Sequence, residues 1–200
     1  MNAARWALAA LACAAASASA QDPWEFAMTG YWNSPKAGSD FASGIFTADR
    51  GSLHLEARAN YEAVHAQSAF VGWSFAWGDE ELKLEATPIV GGVGGAARGP
   101  IVGVEATLAA GRFDYYIEGE HVRDDKGGTY NYAWTELGFK PAEWARLGFA
   151  GQHTRVYGAQ RETQRGGFLQ LTKDKWTVGA YWFNPGTSDA LLIVSLGAAF

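Results

Sequence analysis

Short polar turns alternate with longer loops along this chain, and no other feature constrains its fold as strongly. The turns recur about every 30 residues, the length of two strands of roughly 10 residues with their connections. Five short turns lie at 50–51, 79–80, 111–112, 141–143 and 173–174, and six longer Gly-rich or polar segments lie at 34–40, 62–66, 91–98, 123–128, 155–164 and 184–188. Eleven connections of strictly alternating length predict twelve antiparallel strands, with every short turn at the same end of the sheet.

Between the turns, apolar and polar residues alternate with a period of two. Leu53 and Leu55 alternate with His54 and Glu56, and the same pattern recurs at 82–87 and 102–108. This period indicates strands with one apolar and one polar face. The apolar face is continuous and rich in aromatic residues, so we assign it to lipid and the polar face to a lumen. A soluble barrel with the apolar face inward is the alternative, but it would have to enclose most of the tryptophans.

The N-terminus has the pattern of an export signal. Residues 1–20 contain one cation, Arg5, then an Ala/Leu-rich core, and end in Ala18-Ser19-Ala20. This predicts a signal peptide at 1–20, cleaved before Gln21, and a barrel domain at 21–200. The single cysteine, Cys13, lies inside this signal, and the sequence before it fits a lipidation site poorly. The mature chain therefore has no cysteine for a disulfide.

Charge and hydropathy exclude two other classes of protein. The net charge is −5 and the chain has no basic cluster, so no nucleic-acid partner is expected. The only stretch as apolar as a membrane helix is the N-terminal signal, which excludes a multi-span helical membrane protein.

The last segment, 189–200, reads as a terminal strand that ends on the aromatic residue Phe200. Together with the export signal and the alternating turns, this strand makes residues 21–200 resemble bacterial outer-membrane β-barrel proteins. The resemblance implies an all-β, transmembrane, antiparallel up-and-down barrel in the outer membrane. It also implies contact with outer-membrane lipid, and recognition of Phe200 by the barrel-assembly machinery as an assembly signal.

The polar face predicts a charged, net acidic lumen. Its candidate cluster comprises Glu56, Arg58, Lys83, Glu85, Glu105, Glu118, Glu136, Lys140 and Arg146. A two-residue turn at 111–112 places Glu105 opposite Glu118. Hairpin tips near residues 95 and 127 would add Glu85 opposite Glu105 and Glu136 opposite Glu118, giving a row of four carboxylates.

Like charges directly across a strand pair are unfavourable, so this row needs compensation. Lys83 and Arg146 stand one diagonal step from it, which predicts a lumenal network of ion pairs. The second hypothesis is a cation-preferring constriction, because rings of acidic side chains attract cations in pores. The same hairpin assignments place Asp114 opposite Lys140.

The sequence contains little that indicates an enzyme. The four histidines are His54, His65, His121 and His153. None stands in a recognisable arrangement of nucleophile, base and orienting group, and His54 is expected to be structural, opposite Thr47. No metal motif or phosphate-binding loop occurs, so we expect no enzyme, no metal and no cofactor; an outer-membrane hydrolase is the least favoured function.

Two functions remain, a narrow pore or small-solute channel and a non-conducting structural or adhesive barrel whose lumen is filled by salt bridges. Eight strands leave room only for side chains and sixteen leave a channel, so twelve is intermediate. Small ions or solutes are the partners that a pore would imply. Small lumenal residues, which would leave room for water, slightly favour the pore: Ala27, Gly72, Gly103, Gly138, Gly148, Ala150 and Gly179. The Gly-rich segment 90–100 is expected to be either a hairpin tip or an apolar flap over the mouth.

Overall fold

The computed structural model describes residues 22–125, 128–156 and 161–200. The predicted signal peptide, with Cys13 and its cleavage site, lies outside these residues. Within the described part of the chain, no helix has the length and hydropathy of a membrane span.

Thirteen strand segments follow one another along the described part of the chain. They are β1 (Glu25–Pro35), β2 (Phe41–Arg50), β3 (Leu53–Ala59), β4 (Ala66–Trp73), β5 (Phe75–Gly78), β6 (Leu82–Gly95), β7 (Gly99–Ala110), β8 (Phe113–Asp124), β9 (Gly128–Ala142), β10 (Ala145–Val156), β11 (Arg161–Lys173), β12 (Trp176–Phe183) and β13 (Leu191–Ala199). All pairings are antiparallel, and β1 pairs with β13 to close the sheet. We call the two ends of the barrel the turn end, where the short turns and both termini of the sheet lie, and the loop end.

Segments β4 and β5 form one strand of the barrel. Both pair with β6 in a single register, in which Gly72 faces Ile89 and Phe75 faces Ala86. The break at Ser74 lies beside Pro88, which has no N–H to donate to the ladder. The Ser74 amide donates to the carbonyl of Ser52, on the β3 side, at 2.8 Å. The fold is therefore a closed twelve-stranded up-and-down barrel, as the turn spacing predicts.

The outer surface of the barrel is apolar. Large hydrophobic side chains remain 37–72% exposed along nearly every strand, as a lipid-facing surface requires. Exposed aromatics concentrate at the turn end, where an aromatic girdle would meet the membrane interface; they are Trp24, Trp77, Trp144, Trp176 and Phe200. The assignment of the apolar face to the outside is confirmed.

The inside of the barrel also holds two apolar clusters, which the sequence analysis did not predict. The first consists of Ala66, Phe70, Ile89, Val93, Ala97, Ile101 and Val122, and the second of Ala150, Phe168, Tyr181, Phe183 and Ile193. Alternation is lost where a strand carries apolar residues on both faces, so these inward positions could not be recognised from the pattern.

Two of the small lumenal residues that were expected to leave room for water, Gly138 and Gly179, do not leave open space beside them. A Cβ built on Gly138 would lie 2.6 Å from Arg146 Nε, and one on Gly179 would lie 2.4 Å from Ser195 Oγ. The space beside these glycines is filled by neighbouring side chains. The interior is packed more tightly than the sequence suggested.

The Gly-rich segment is mostly strand rather than a loop or a flap. Strand β6 continues to Gly95 and β7 begins at Gly99, so the connection is only 96–98, and Ala97 packs into the first apolar cluster. Gly91 allows β6 to approach β4, because a Cβ there would lie 2.1 Å from the carbonyl oxygen of Ala69.

We expect Gly91→Ala to lower the free energy of unfolding by about 1–3 kcal/mol, because the added methyl group must displace backbone or the Phe70 ring. The matched control is Gly94→Ala on the same strand, where a Cβ would meet nothing within 4 Å. Urea unfolding in detergent micelles, followed by tryptophan fluorescence, measures both. Equal stabilities for the two variants would contradict this account of Gly91.

Candidate functional site

Arg58 is the centre of the larger charged cluster inside the barrel. Strand β3 alternates buried and exposed residues, so Glu56 and Arg58 both point inward. The Arg58 side chain is 0% exposed, and its Nε donates to Glu56. Its Nη1 donates to Glu118 at 3.0 Å and to Glu120 at 2.6 Å, and its Nη2 donates to Glu105 at 3.3 Å. One guanidinium therefore connects β3 to β7 and β8 across the lumen.

Two aromatic rings contact the same guanidinium. Its carbon lies 4.7 Å from the centre of the Tyr61 ring and 4.6 Å from that of Phe70. Desolvated cation–π contacts of this kind contribute up to about 2 kcal/mol each. Arg58 is thereby held in one position by both charge and packing.

The Arg58 cluster has more negative than positive groups. Carboxylate oxygens of five residues lie 3.7 Å or less from an Arg58 nitrogen, and these residues are Glu56, Glu62, Glu105, Glu118 and Glu120. His54 supplies at most one further charge; its Nδ1 lies 2.7 Å from Asp49 and its Nε2 lies 3.3 Å from Glu56. Buried charges need partners, so cations or protons have to neutralise this excess of negative charge.

The segment between β3 and β4 folds into the barrel instead of extending from it. Asn60 has φ of 55°, a conformation that asparagine tolerates, and its Oδ1 accepts from the amide of His65 at 2.8 Å. The Tyr61 hydroxyl donates to Glu118 at 3.0 Å, and Ser68 donates to Glu62. Burial and the nearby Glu118 carboxylate raise the pKa of Tyr61 well above its ordinary value, so its hydroxyl remains a donor.

Sequence reasoning missed the inward position of Tyr61 and Glu62, because a polar segment between strands is expected to face solvent. One signal could have found Glu62. It continues the even-numbered series of Glu56 and Arg58, whose side chains face the lumen.

Arg146 forms a second, smaller cluster with Asp114, Glu136 and Gln170. Its Nε donates to Asp114 at 3.0 Å, its Nη1 donates to Gln170 at 2.9 Å and to Glu136, and it lies 4.6 Å from the Phe168 ring. Lys140 is a distant member, with Nζ 4.0 Å from Asp114.

Lys83 and Glu85 stand apart from both clusters. They form a pair at 2.7 Å, and each side chain is 52% exposed. The structure thus divides the nine predicted charged residues into three groups, centred on Arg58, Arg146 and the Lys83–Glu85 pair.

The register confirms one predicted acidic pair. Glu105 faces Glu118, as the turn at 111–112 requires, and Arg58 contacts both. For this pair the compensating charge comes from Arg58, on a distant strand. Lys83 and Arg146, which were expected to offset two of the four carboxylates, contact the other two, Glu85 and Glu136.

The other predicted pairings are wrong by two residues. Glu85 faces Thr107 and Glu136 faces Tyr116, so the row of four carboxylates does not form. Glu118 faces Trp134. A shift of two residues keeps each side chain on its face but moves it about 7 Å along the strand.

Two further pairings shift in the same way: Asp114 faces Gly138 rather than Lys140, and His54 faces Asp49 rather than Thr47. The causes are hairpin connections whose tips lie one residue from the assumed positions.

Cavities lie on both sides of the Arg58 cluster. A cavity of about 300 Å³ toward the loop end is bordered by Glu118, Glu136 and Tyr116. A second cavity, of about 410 Å³ toward the turn end, is bordered by Glu85, Glu105 and Tyr116. Arg58 contacts Glu118 on the first and Glu105 on the second, so its cluster stands between them.

One group of described residues has the donor types of a metal site. Ligand atoms of His54, Glu56 and Glu105 lie within 4.8 Å of one another. Arg58 already contacts both carboxylates, so a guanidinium supplies the positive charge at this position.

No protein-family model and no curated protein matches the sequence. Several solved structures resemble the fold. The KdgM porin, solved in complex with disordered oligogalacturonate, superposes with a TM-score of 0.62 at 7% identity, covering 87% of this chain and 99% of that one. OccK5 (OpdH) of Pseudomonas aeruginosa has a TM-score of 0.45 at 11% identity, over 85% of this chain and 63% of that one. An OmpT loop-deletion mutant of Vibrio cholerae has a TM-score of 0.43 at 8% identity, over 89% and 98%.

The closed barrel, its apolar outer surface and the likeness to KdgM define the class of this protein. It is a twelve-stranded β-barrel of the bacterial outer-membrane type.

Proposed function

We propose that the protein is a narrow channel of the outer membrane that favours small cations, with its constriction at Arg58. The observation that carries this proposal is the position of the Arg58 cluster between two cavities whose borders are acidic on both sides. Acidic side chains lower the energy of a cation in a confined, poorly solvated passage, and they raise that of an anion.

The residues at the constriction also indicate which kind of solute the channel would pass. The oligogalacturonate in the KdgM structure is a polyanion. In this barrel a polyanion would meet Glu105, Glu118 and Glu136, while Arg58 and Arg146 already contact carboxylates. We therefore propose small cations, or small solutes accompanied by them, rather than anionic saccharides.

A second function, a non-conducting structural barrel, is favoured by the packing of the lumen. Arg58 is fully buried, and two apolar clusters occupy the interior. In this case the charged clusters hold the walls together, and the cavities are closed pockets. Conductance separates the two functions directly.

We expect the wild-type protein in planar bilayers to pass a small current with a reversal potential that indicates cation preference in a KCl gradient. Replacing Glu105 and Glu118 together by glutamine should move the cation-to-anion permeability ratio towards one, because it removes two charges beside the constriction. Glu143→Gln, on an exposed turn, is the matched control and should leave the ratio unchanged.

Three outcomes would contradict parts of this proposal. Absence of conductance at any salt concentration would leave the structural barrel as the function. Conductance without cation preference would retain the pore but reject the acidic constriction. An equal change in Glu143→Gln would assign the selectivity to general surface charge.

A further inference from the structure

Two buried oxygen atoms without hydrogen-bond partners belong to residues that line one small cavity beside the Arg58 cluster. They are Oε2 of Glu62 and the hydroxyl of Tyr130. The Glu62 side chain is only 1% exposed, and its other oxygen, Oε1, accepts from Ser68 and lies 3.7 Å from Arg58. An unpartnered buried carboxylate oxygen is costly, since it loses its hydration and gains nothing in return.

The cavity itself has the composition of a site for a hard cation. Its volume is about 80 Å³, and it is lined by Tyr61, Glu62, Glu120, Tyr130, Tyr132, Gln152 and Thr154. These side chains offer two carboxylates, phenol and aliphatic hydroxyls and one amide, with no thiol or imidazole. Oxygen donors of this kind suit Ca²⁺ and Mg²⁺ rather than the softer transition metals.

The charge of the surroundings points the same way. Five carboxylates surround the single guanidinium of Arg58, and two of them, Glu62 and Glu120, border the cavity. A divalent ion at Glu62 Oε2 would offset part of this excess and would give that oxygen a partner. About 15 Å³ of free space admits one water, so the cavity can hold an ion together with water ligands.

We infer that this cavity is a Ca²⁺ site, with the Glu62 and Glu120 carboxylates as its charged ligands and the neighbouring hydroxyls and amide as neutral ones. Ca²⁺ fits better than Mg²⁺, because it accepts six to eight oxygens in irregular geometry whereas Mg²⁺ demands a near-octahedral set. The ion would join the inward-folded segment 60–65 to β8, β9 and β10, which contribute Glu120, Tyr130 and Thr154. This site does not depend on the proposed channel function.

The test uses the protein purified from membranes in detergent, stripped with EDTA and titrated with CaCl₂ by isothermal titration calorimetry. Tb³⁺, a Ca²⁺ mimic, provides a second readout, because the lining tyrosines can sensitise its luminescence. We expect saturable one-to-one binding of Ca²⁺, and displacement of Tb³⁺ by Ca²⁺ but not by equal concentrations of Mg²⁺ or Na⁺.

Glu62→Gln should weaken Ca²⁺ binding by at least about tenfold, since it removes a charged ligand. Glu143→Gln, on an exposed turn at the opposite end of the barrel, is the matched control and should bind Ca²⁺ as the wild type does. The heat-dependent shift of gel mobility shows whether each variant is folded. Should Glu62→Gln fail to fold, Tyr130→Phe removes only the unpartnered hydroxyl and should weaken binding by a smaller factor.

The inference is overturned if the wild-type protein shows no saturable Ca²⁺ binding between pH 6 and 8, which would mean that protons meet the charge excess. It is also overturned if the folded variants at the cavity bind Ca²⁺ as tightly as Glu143→Gln does, or if Mg²⁺ competes equally. None of these measurements requires the barrel to conduct, so they stand apart from the bilayer experiment.

Discussion

Arg58→Met should lower the free energy of unfolding by about 3–5 kcal/mol at neutral pH, because removing one partner of a buried ion cluster leaves the others uncompensated. Five carboxylates depend on this guanidinium, and methionine keeps the aliphatic bulk between Tyr61 and Phe70 without the charge. Urea unfolding in detergent micelles, followed by tryptophan fluorescence, measures the change.

The control for this prediction is Lys83→Met, which breaks an ion pair whose partners are each half exposed. It should cost no more than about 1 kcal/mol, since exposed pairs are screened by water. The difference in unfolding free energy between Arg58→Met and the wild type should also be smaller in acid, because the glutamates take up protons there and no longer repel one another. A variant as stable as the wild type at neutral pH would show that Arg58 does not hold the cluster together.

Deletion of Phe200 should prevent normal insertion of the barrel and leave unfolded protein in the periplasm, visible as loss of the heat-modifiable gel shift. Phe200 stands where the sheet closes. Its amide donates to the carbonyl of Phe26 at 2.8 Å, the Phe26 amide donates back at 2.9 Å, and the two rings stack at 6.0 Å.

Two comparisons separate recognition by the assembly machinery from the stability of the closed sheet. Phe200→Ala keeps both backbone hydrogen bonds but loses the ring, so it should fail in cells if the ring is recognised, while Phe200→Tyr should insert. The deletion variant should still refold from urea into detergent, because only one of many paired positions between β1 and β13 is lost. Normal insertion of the deletion variant in cells would contradict the predicted role of Phe200 in assembly.

The position of Glu105 opposite Glu118 could be predicted because the connection between their strands is a tight turn. A two-residue turn permits a single register once its two residues are known, and here they are 111–112 as assumed. At the turn after β2 they are 51–52 rather than 50–51, which is why the partner of His54 was wrong. The positions of Glu85 and Glu136 could not be predicted in the same way. Their hairpins end in longer connections, and a tip displaced by one residue moves every pair by two.

The sequence by itself determined the number of strands, their alternating connections and the face that meets lipid. These properties are local, because each turn and each strand with alternating apolar and polar residues can be recognised within about ten residues. An apolar outer face follows from these patterns.

Only the tertiary structure decided which charges meet inside the barrel. Arg58 is 47 residues from Glu105 and 62 residues from Glu120 in the chain, and closure of the sheet brings them together. The inward fold of 60–65 and the two apolar clusters of the lumen likewise depend on contacts between distant strands. Such contacts are set by the curvature and register of the closed sheet, which no single segment of the sequence encodes.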